Sequence, residues 1–200
     1  MGVKMFRYSA TKRIISNLDR EPVVSNLGPT SDELWHASDR DRNFYTYGSM
    51  GLCSSIALGM ALSCDEKVIS LDGDGSILMN LGTVATIGRE TPANLIVIVW
   101  DNEQWAQTGH QKSHTAYGTD LEMVAKSNGI EKSFTVADEE ELDLILLQAL
   151  NEDGPWFIVA KIEDEPYLSV APVEPEHTLH RFRQTFVDGP DRVGCFTASA

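Results

Sequence analysis

The segments V-I-S-L-D-G-D-G (68–75) and L-I-V-I-V-W-D-N (95–102) decide how this chain folds. Each begins as a run of apolar, mostly β-branched residues and ends on a carboxylate beside a glycine or an amide. Short apolar runs of this kind read as strands covered on both faces, as a parallel sheet requires. Between them Ile77, Leu78, Leu81, Val84, Ala85 and Gly88 recur three or four residues apart and predict one helix. The sum is a βαβ unit, whose crossover returns the second strand beside the first and brings Asn102 next to Asp74. Gly73 and Gly75 flank that carboxylate and allow the backbone to approach a bound diphosphate. Such a turn can hold an anion and a metal together.

The pattern extends both ways. Residues 8–18, with Ile14, Ile15 and Leu18, read as a first amphipathic helix, and residues 22–25 as a short strand. Asn26-Leu27-Gly28-Pro29 turns the chain, and Thr30 with Glu33 has the form of a capping box. A loop at that place is either a ligand-binding loop, as at the carboxyl ends of open α/β sheets, or a packing turn. Residues 40–47 are polar and aromatic without helical period; a helix of small and apolar residues follows to Leu62. Its Gly51, Ser54, Ser55 and Gly59 would let another backbone pack close. After Asn102 the polar loop 103–111 suggests a cover over the same turn. Residues 120–128 predict a short helix stopped by Gly129, 134–136 a strand, 139–151 an amphipathic helix and 157–162 a last strand. Beyond 163 prolines interrupt the pattern, apart from one helix over 178–186. The fold class is therefore α/β, a three-layer α/β/α parallel sheet over residues 1–163, with residues 164–200 as a tail, loose or an arm over a neighbour.

G-D-G, then 25 residues, then D-N resembles the thiamine diphosphate motif. N-L-G-P-T-S-D-E-L-W (26–35), N-F-Y-T-Y-G-S-M-G (43–51) and T-G-H-Q (108–111) are similar to stretches of the 2-oxo acid decarboxylase family that includes sulfopyruvate and phosphonopyruvate decarboxylases. The resemblance covers about residues 8–163 and implies the thiamine diphosphate-binding (PP-domain) fold. It implies magnesium held by Asp74, the Asn102 side chain and the Gln104 carbonyl, a donor set suited to a hard octahedral ion. It implies cofactor contacts from Gly73, Gly75, Ser76, Trp105 and Thr108, and a grip on the aminopyrimidine by Gly48, Ser49 and Met50. There Gly48 offers its carbonyl, and Met50 is either the apolar wedge that bends the cofactor or plain core. His110 stands where the family has glycine, and Trp105 where a smaller aromatic is commoner. His110 and His114 are candidate proton donors or anion contacts near neutral pH, or solvated loop histidines. The activating glutamate belongs to a pyrimidine-binding domain with no counterpart here. The resemblance therefore implies a β-type subunit completed by an α-type partner, in a hetero-oligomer with at least two copies of each chain. The implied reaction is decarboxylation of a small anionic 2-oxo acid; carboligation, as in acetolactate synthases, and a non-catalytic assembly subunit are the alternatives.

Composition sets the outer bounds. With 200 residues the chain can bury one ordinary core, and a formal charge of −14 argues against nucleic acid and membrane surfaces as partners. Cys53, Cys64 and Cys195 have no C-x-x-C spacing, which disfavours a disulfide framework and fits a reducing cytoplasm. No apolar run reaches the roughly 18 residues of a membrane span.

Overall fold

The structure, a computed structural model, describes residues 5–164 and 168–187. In chain order these form α1 (Arg7–Ser16), β1 (Val23–Ser25), α2 (Pro29–Ala37), β2 (Asn43–Tyr45), α3 (Cys53–Ala61) and β3 (Val68–Gly73). There follow α4 (Asp74–Met79), α5 (Gly82–Glu90), β4 (Leu95–Asp101), β5 (Gln104–Trp105) and β6 (Gln111–Lys112). The described chain then runs through α6 (Leu121–Ser127), β7 (Lys132–Val136), α7 (Glu139–Asn151), β8 (Trp156–Lys161) and α8 (Pro175–Val187). Six strands pair in parallel in the order β2-β1-β3-β4-β8-β7, while β5 and β6 make a small antiparallel hairpin.

The period of two divides the core. Ile96, Ile98 and Trp100 point into one cluster with α1, α2 and α7, through Ile14, Leu34, Leu142 and Leu146. Leu95, Val97 and Val99 point into the other with α3, α5 and α6, through Ala57, Val84, Ile87 and Ala125. Two helical layers thus cover one sheet, and all seven residues of β4 are buried. Because β2 and β3 lie on opposite sides of β1, the chain reverses direction at β1, and a crevice opens at the carboxyl ends of β1 and β3.

Several expectations change. The helix after Gly75 is two helices, broken where Asn80 leaves helical geometry at φ −143° and ψ 56°. The capping box does not form: Gly28, at φ +70°, precedes a helix opened by Pro29, with no side-chain cap. Proline's fixed φ and missing N–H suit the first helical position, and Glu33 instead takes both prongs of the Arg7 guanidinium at 2.6 and 2.8 Å. Residues 43–45, left unassigned by period, are the edge strand β2, and β3 ends at Gly73. Asp120 caps α6 and Asp138 caps α7 by accepting backbone N–H bonds.

The segment from 168 returns across α2: the Ala171 N–H donates to Asp32 at 2.8 Å, and α8 then sets Phe182 against Phe44 of β2. Pro166, Pro190 and Cys195 lie outside the described residues. Among the described residues neither Cys53 nor Cys64 forms a disulfide, and no helix is long and apolar enough to cross a membrane.

Gly88 shows how tightly the second layer is assembled. A methyl group there would fall inside the Asn128 carbonyl, a backbone atom that cannot rotate away. Gly88→Ala should cost about 1–3 kcal/mol in urea unfolding, because α5 and the end of α6 must part.

Candidate functional site

Three strands deliver the site. Asn26 follows β1, Gly73-Asp74-Gly75 ends β3, and Asp101-Asn102 ends β4; register pairs Gly73 with Trp100, so Asp74 and Asp101 leave the sheet side by side. A cleft of about 130 Å³ opens there, and its lining includes Met50, Gly73, Asp74, Gly75, Ser76, Asn102, Gln104, Trp105 and Thr108. Nine of the residues singled out from sequence therefore meet in one place. Gly48 and Ser49 are exposed on the loop before Met50 and do not line it. His110 faces an adjoining cavity of about 380 Å³ that shares Arg7, Pro29, Asn102, Ala106 and Gln107 with the first. His114 stands edge-on to the Trp105 ring, 5.8 Å between centroids.

The hairpin after β4 forms the roof. Trp105 lies over Gly75, and Gln107 lies over Gly28, so closely that a methyl on either glycine would strike the side chain above it. Both glycines are needed for close approach, and Gly28 also for its positive φ. Glu103 and His110 adopt left-handed conformations at φ +61° and +57°. At His110 this is backbone geometry that glycine would adopt freely. His110 Nδ1 lies 3.3 Å from Gln104 Oε1, and 3.9 Å from an Asp164 carboxylate oxygen. Asn102 Oδ1 accepts from the Gln104 N–H at 3.3 Å, while its Nδ2 donates to Asp164 at the same distance.

Asp74 is 3 % exposed and meets no ammonium or guanidinium group in the contacts that hold it. The Ser113 hydroxyl donates to it at 2.5 Å and that of Thr115 approaches at 3.3 Å; Thr115 also donates to Asp101 at 2.8 Å. Burial raises the Asp74 carboxyl to about 6; the Ser113 hydroxyl opposes this, and the charge of Asp101 adds to it. Asp101 itself pairs with Lys161 at 2.7 Å. Burial works against that ammonium, but Asp101 and Glu103 hold it above its ordinary range.

Asn26 lines the cleft, and its Oδ1 is buried with no hydrogen-bond partner. The family model for the thiamine pyrophosphate enzyme C-terminal TPP binding domain matches residues 30–160. The chain belongs to the thiamine pyrophosphate enzymes.

Among the members of this family, the chain is similar to the sulfopyruvate decarboxylase subunit beta of Methanocaldococcus jannaschii, 48% identical over 78% of this chain and 82% of that protein. It is similar also to phosphonopyruvate decarboxylase of Streptomyces viridochromogenes, 36% identical over 92% of this chain but only 47% of that protein. A solved structure, the thiamine diphosphate-dependent 4-hydroxybenzoylformate decarboxylase of Rhodococcus jostii RHA1, superposes with a TM-score of 0.70 at 20% identity. It covers 82% of this chain and 34% of that one, and shares the fold.

Sequence reasoning missed Asn26 as a candidate, Arg7 at the edge of both cavities, and the hydroxyls of Ser113 and Thr115 on Asp74. For Asn26 a signal existed, since its loop was singled out; a serine and a threonine in a polar loop gave none.

The Asp74 shift has a sign that can be tested on the metal-free chain. Its folded-state pKa lies above the unfolded value, so the native state binds the extra proton between about pH 4 and 6, and stability falls as pH rises through that window. Asp74→Asn, neutral and of the same shape, should leave metal-free stability unchanged near pH 4 and raise it at pH 7.5 by up to about 3 kcal/mol, read from urea midpoints.

Proposed function

We propose that this chain is the diphosphate-binding, β-type subunit of a thiamine diphosphate- and magnesium-dependent decarboxylase. Its substrate would be an anionic 2-oxo acid of the sulfopyruvate or phosphonopyruvate kind, and a pyrimidine-domain partner would complete the site. The observation that carries this reading is the convergence of Asp74, Asn102 and Gln104 in one cleft at the ends of adjacent strands. The 48% identity to a protein named subunit beta supports the divided arrangement.

The donors present fit the group. Among the described residues no cluster of three His, Cys, Asp or Glu side chains could hold a metal. An ion here would take one carboxylate, the second lone pair of Asn102 Oδ1 and the Gln104 carbonyl, with the remaining positions left for diphosphate oxygens and water. This is oxygen chemistry, which favours magnesium. Gly73 leaves room for the diphosphate beside the backbone, Gly75 gives its room to the Trp105 ring, and the Asn26 amide, whose Oδ1 has no partner, can turn to offer N–H or C=O.

Thiamine diphosphate, when bound, supplies the electron sink for loss of carbon dioxide from a 2-oxo acid. This chain's residues do the rest locally. Trp105 over Gly75 shields the diphosphate end from water. Met50 lines the cleft and would serve as the wedge, and Gly48, on the exposed loop before it, would offer its carbonyl to the aminopyrimidine. His110 opens onto the adjoining cavity and is the better placed of the two histidines for a proton or an anionic substrate, since His114 packs on Trp105. The partner supplies the activating glutamate, and exposed Tyr47, Leu52 and Met79 around the loop that bears Met50 give it an apolar surface to cover. We place the assembly in the cytoplasm, with at least two copies of each chain.

The test is carbon dioxide release from a panel of 2-oxo acids by the chain co-purified with its partner. Sulfonated or phosphonated 2-oxo acids should give free aldehyde with magnesium and thiamine diphosphate, and this chain alone should not turn over. A longer, ligated product would replace decarboxylation by carboligation as the reaction. Asn102→Ala should weaken magnesium-dependent cofactor binding by roughly 10- to 100-fold, at least the loss seen when an outer-shell metal contact is removed.

A further inference from the structure

The loop that bears Met50 stands out from the sheet. Tyr47, Gly48 and Ser49 are exposed, and the contacts that fix the loop lie at its two ends. At one end, the Thr46 N–H and hydroxyl both donate to the Ser25 carbonyl, at 3.1 and 2.9 Å. At the other, both backbone groups of Gly51 are taken by side chains from the α4 segment. The Gly51 N–H donates to Ser76 Oγ at 3.0 Å, and the Gly51 carbonyl accepts from Asn80 Nδ2 at 3.0 Å.

Asn80 is the residue at which one expected helix becomes two. Leaving helical geometry forfeits backbone hydrogen bonds, and here the amide gains Gly51 and, at 3.3 Å, Ser55 Oγ in exchange. Ser55 in turn shares a 2.6 Å hydrogen bond with Thr83, at the start of α5. Ser76 leads to a second node. Its hydroxyl donates to Asp72, a fully buried carboxylate that also accepts from the Ser54 N–H at 3.2 Å, the Ser54 hydroxyl at 2.7 Å and the Gly73 N–H at 2.9 Å. Asp72 therefore ties the first turn of α3 to the turn that presents Asp74, and Ser76 extends that tie to Gly51.

We propose that Asn80 and Asp72 are positioning residues: they brace the Met50 loop against the Gly73-Asp74-Gly75 turn and fix the distance between the two ends of the cofactor's seat. Neither side chain needs to touch the ligand. Asn80 acts on the Gly51 carbonyl, and Asp72 acts through Ser76 on the Gly51 N–H. The inference rests on the functional reading above, in which Met50 meets the organic end of the cofactor and Asp74 the diphosphate end.

The two ends can be separated by ligand. The full chain assembled with its partner is titrated by calorimetry with thiamine diphosphate and, separately, with inorganic diphosphate, both in excess magnesium chloride. Asn80→Ala should raise the Kd for thiamine diphosphate about tenfold, the effect of one lost hydrogen bond, and that for inorganic diphosphate less than about twofold. Should that variant fail to fold, Asn80→Leu, of similar size but with no N–H to donate to the Gly51 carbonyl, should give the same split. Equal loss on both ligands, or loss on neither, overturns the brace while leaving the functional reading intact. Wild-type protein that binds neither ligand overturns the functional reading and the brace with it.

Discussion

Burial of three carboxylates at the carboxyl ends of two neighbouring strands is the constraint around which the rest of the site is arranged. Asp72, Asp74 and Asp101 are each 1–3 % exposed. A buried charge must be paired or heavily hydrogen-bonded, or it gives up its charge. Asp101 meets Lys161, while Asp72 and Asp74 are held by hydroxyls and backbone N–H groups. Satisfying them requires the first turn of α3, the start of α4 and the 113–115 segment to converge on one point. The sheet core fixes where the strands lie; these carboxylates fix where the loops lie.

The sheet core was the legible part. Leu95 to Trp100 could only be a strand covered on both faces, and the apolar period of residues 139–151 marked α7 from end to end. What the pattern hid were choices made by distant partners. Asn80 sits between Met79 and Leu81 without disturbing a helical period, and its reason for leaving the helix is Gly51, 29 residues away. Thr30 and Glu33 had the spacing of a cap, but Glu33 is drawn to Arg7, 26 residues off, and Pro29 opens the helix by itself. The edge strand β2 has three residues, too few for an alternation to show.

In the site, the legible residues are those at strand ends, where position follows from topology. Asp74, Asn102, Gln104 and Trp105 come together because β3 and β4 are neighbours in register. Ser113 and Thr115 escape notice because a hydroxyl is compatible with any loop, and only folding brings these two to Asp74. His110 is an intermediate case. Its departure from glycine could be read in the sequence, but not that its backbone remains left-handed, a conformation that costs an L-residue roughly 1–2 kcal/mol. That cost is accepted for an imidazole at the mouth of the second cavity.

Compensation of Asp74 by hydroxyls in place of a lysine or arginine has a further consequence. A fixed cation beside Asp74 would hold the carboxylate ionised and the empty fold stable, and it would also occupy the negative potential that a divalent ion needs. Ser113 and Thr115 orient the carboxylate without neutralising it, and Asp101 nearby, itself paired with Lys161, adds to the negative potential at Asp74. Burial then keeps the carboxyl protonated up to about pH 6, and above that pH the fold bears a charge that no cationic side chain offsets at Asp74. A cation seated there, as proposed, would relieve that strain, and binding and folding would then be linked through a single side chain: the fold would be least stable where its affinity for the ion is greatest.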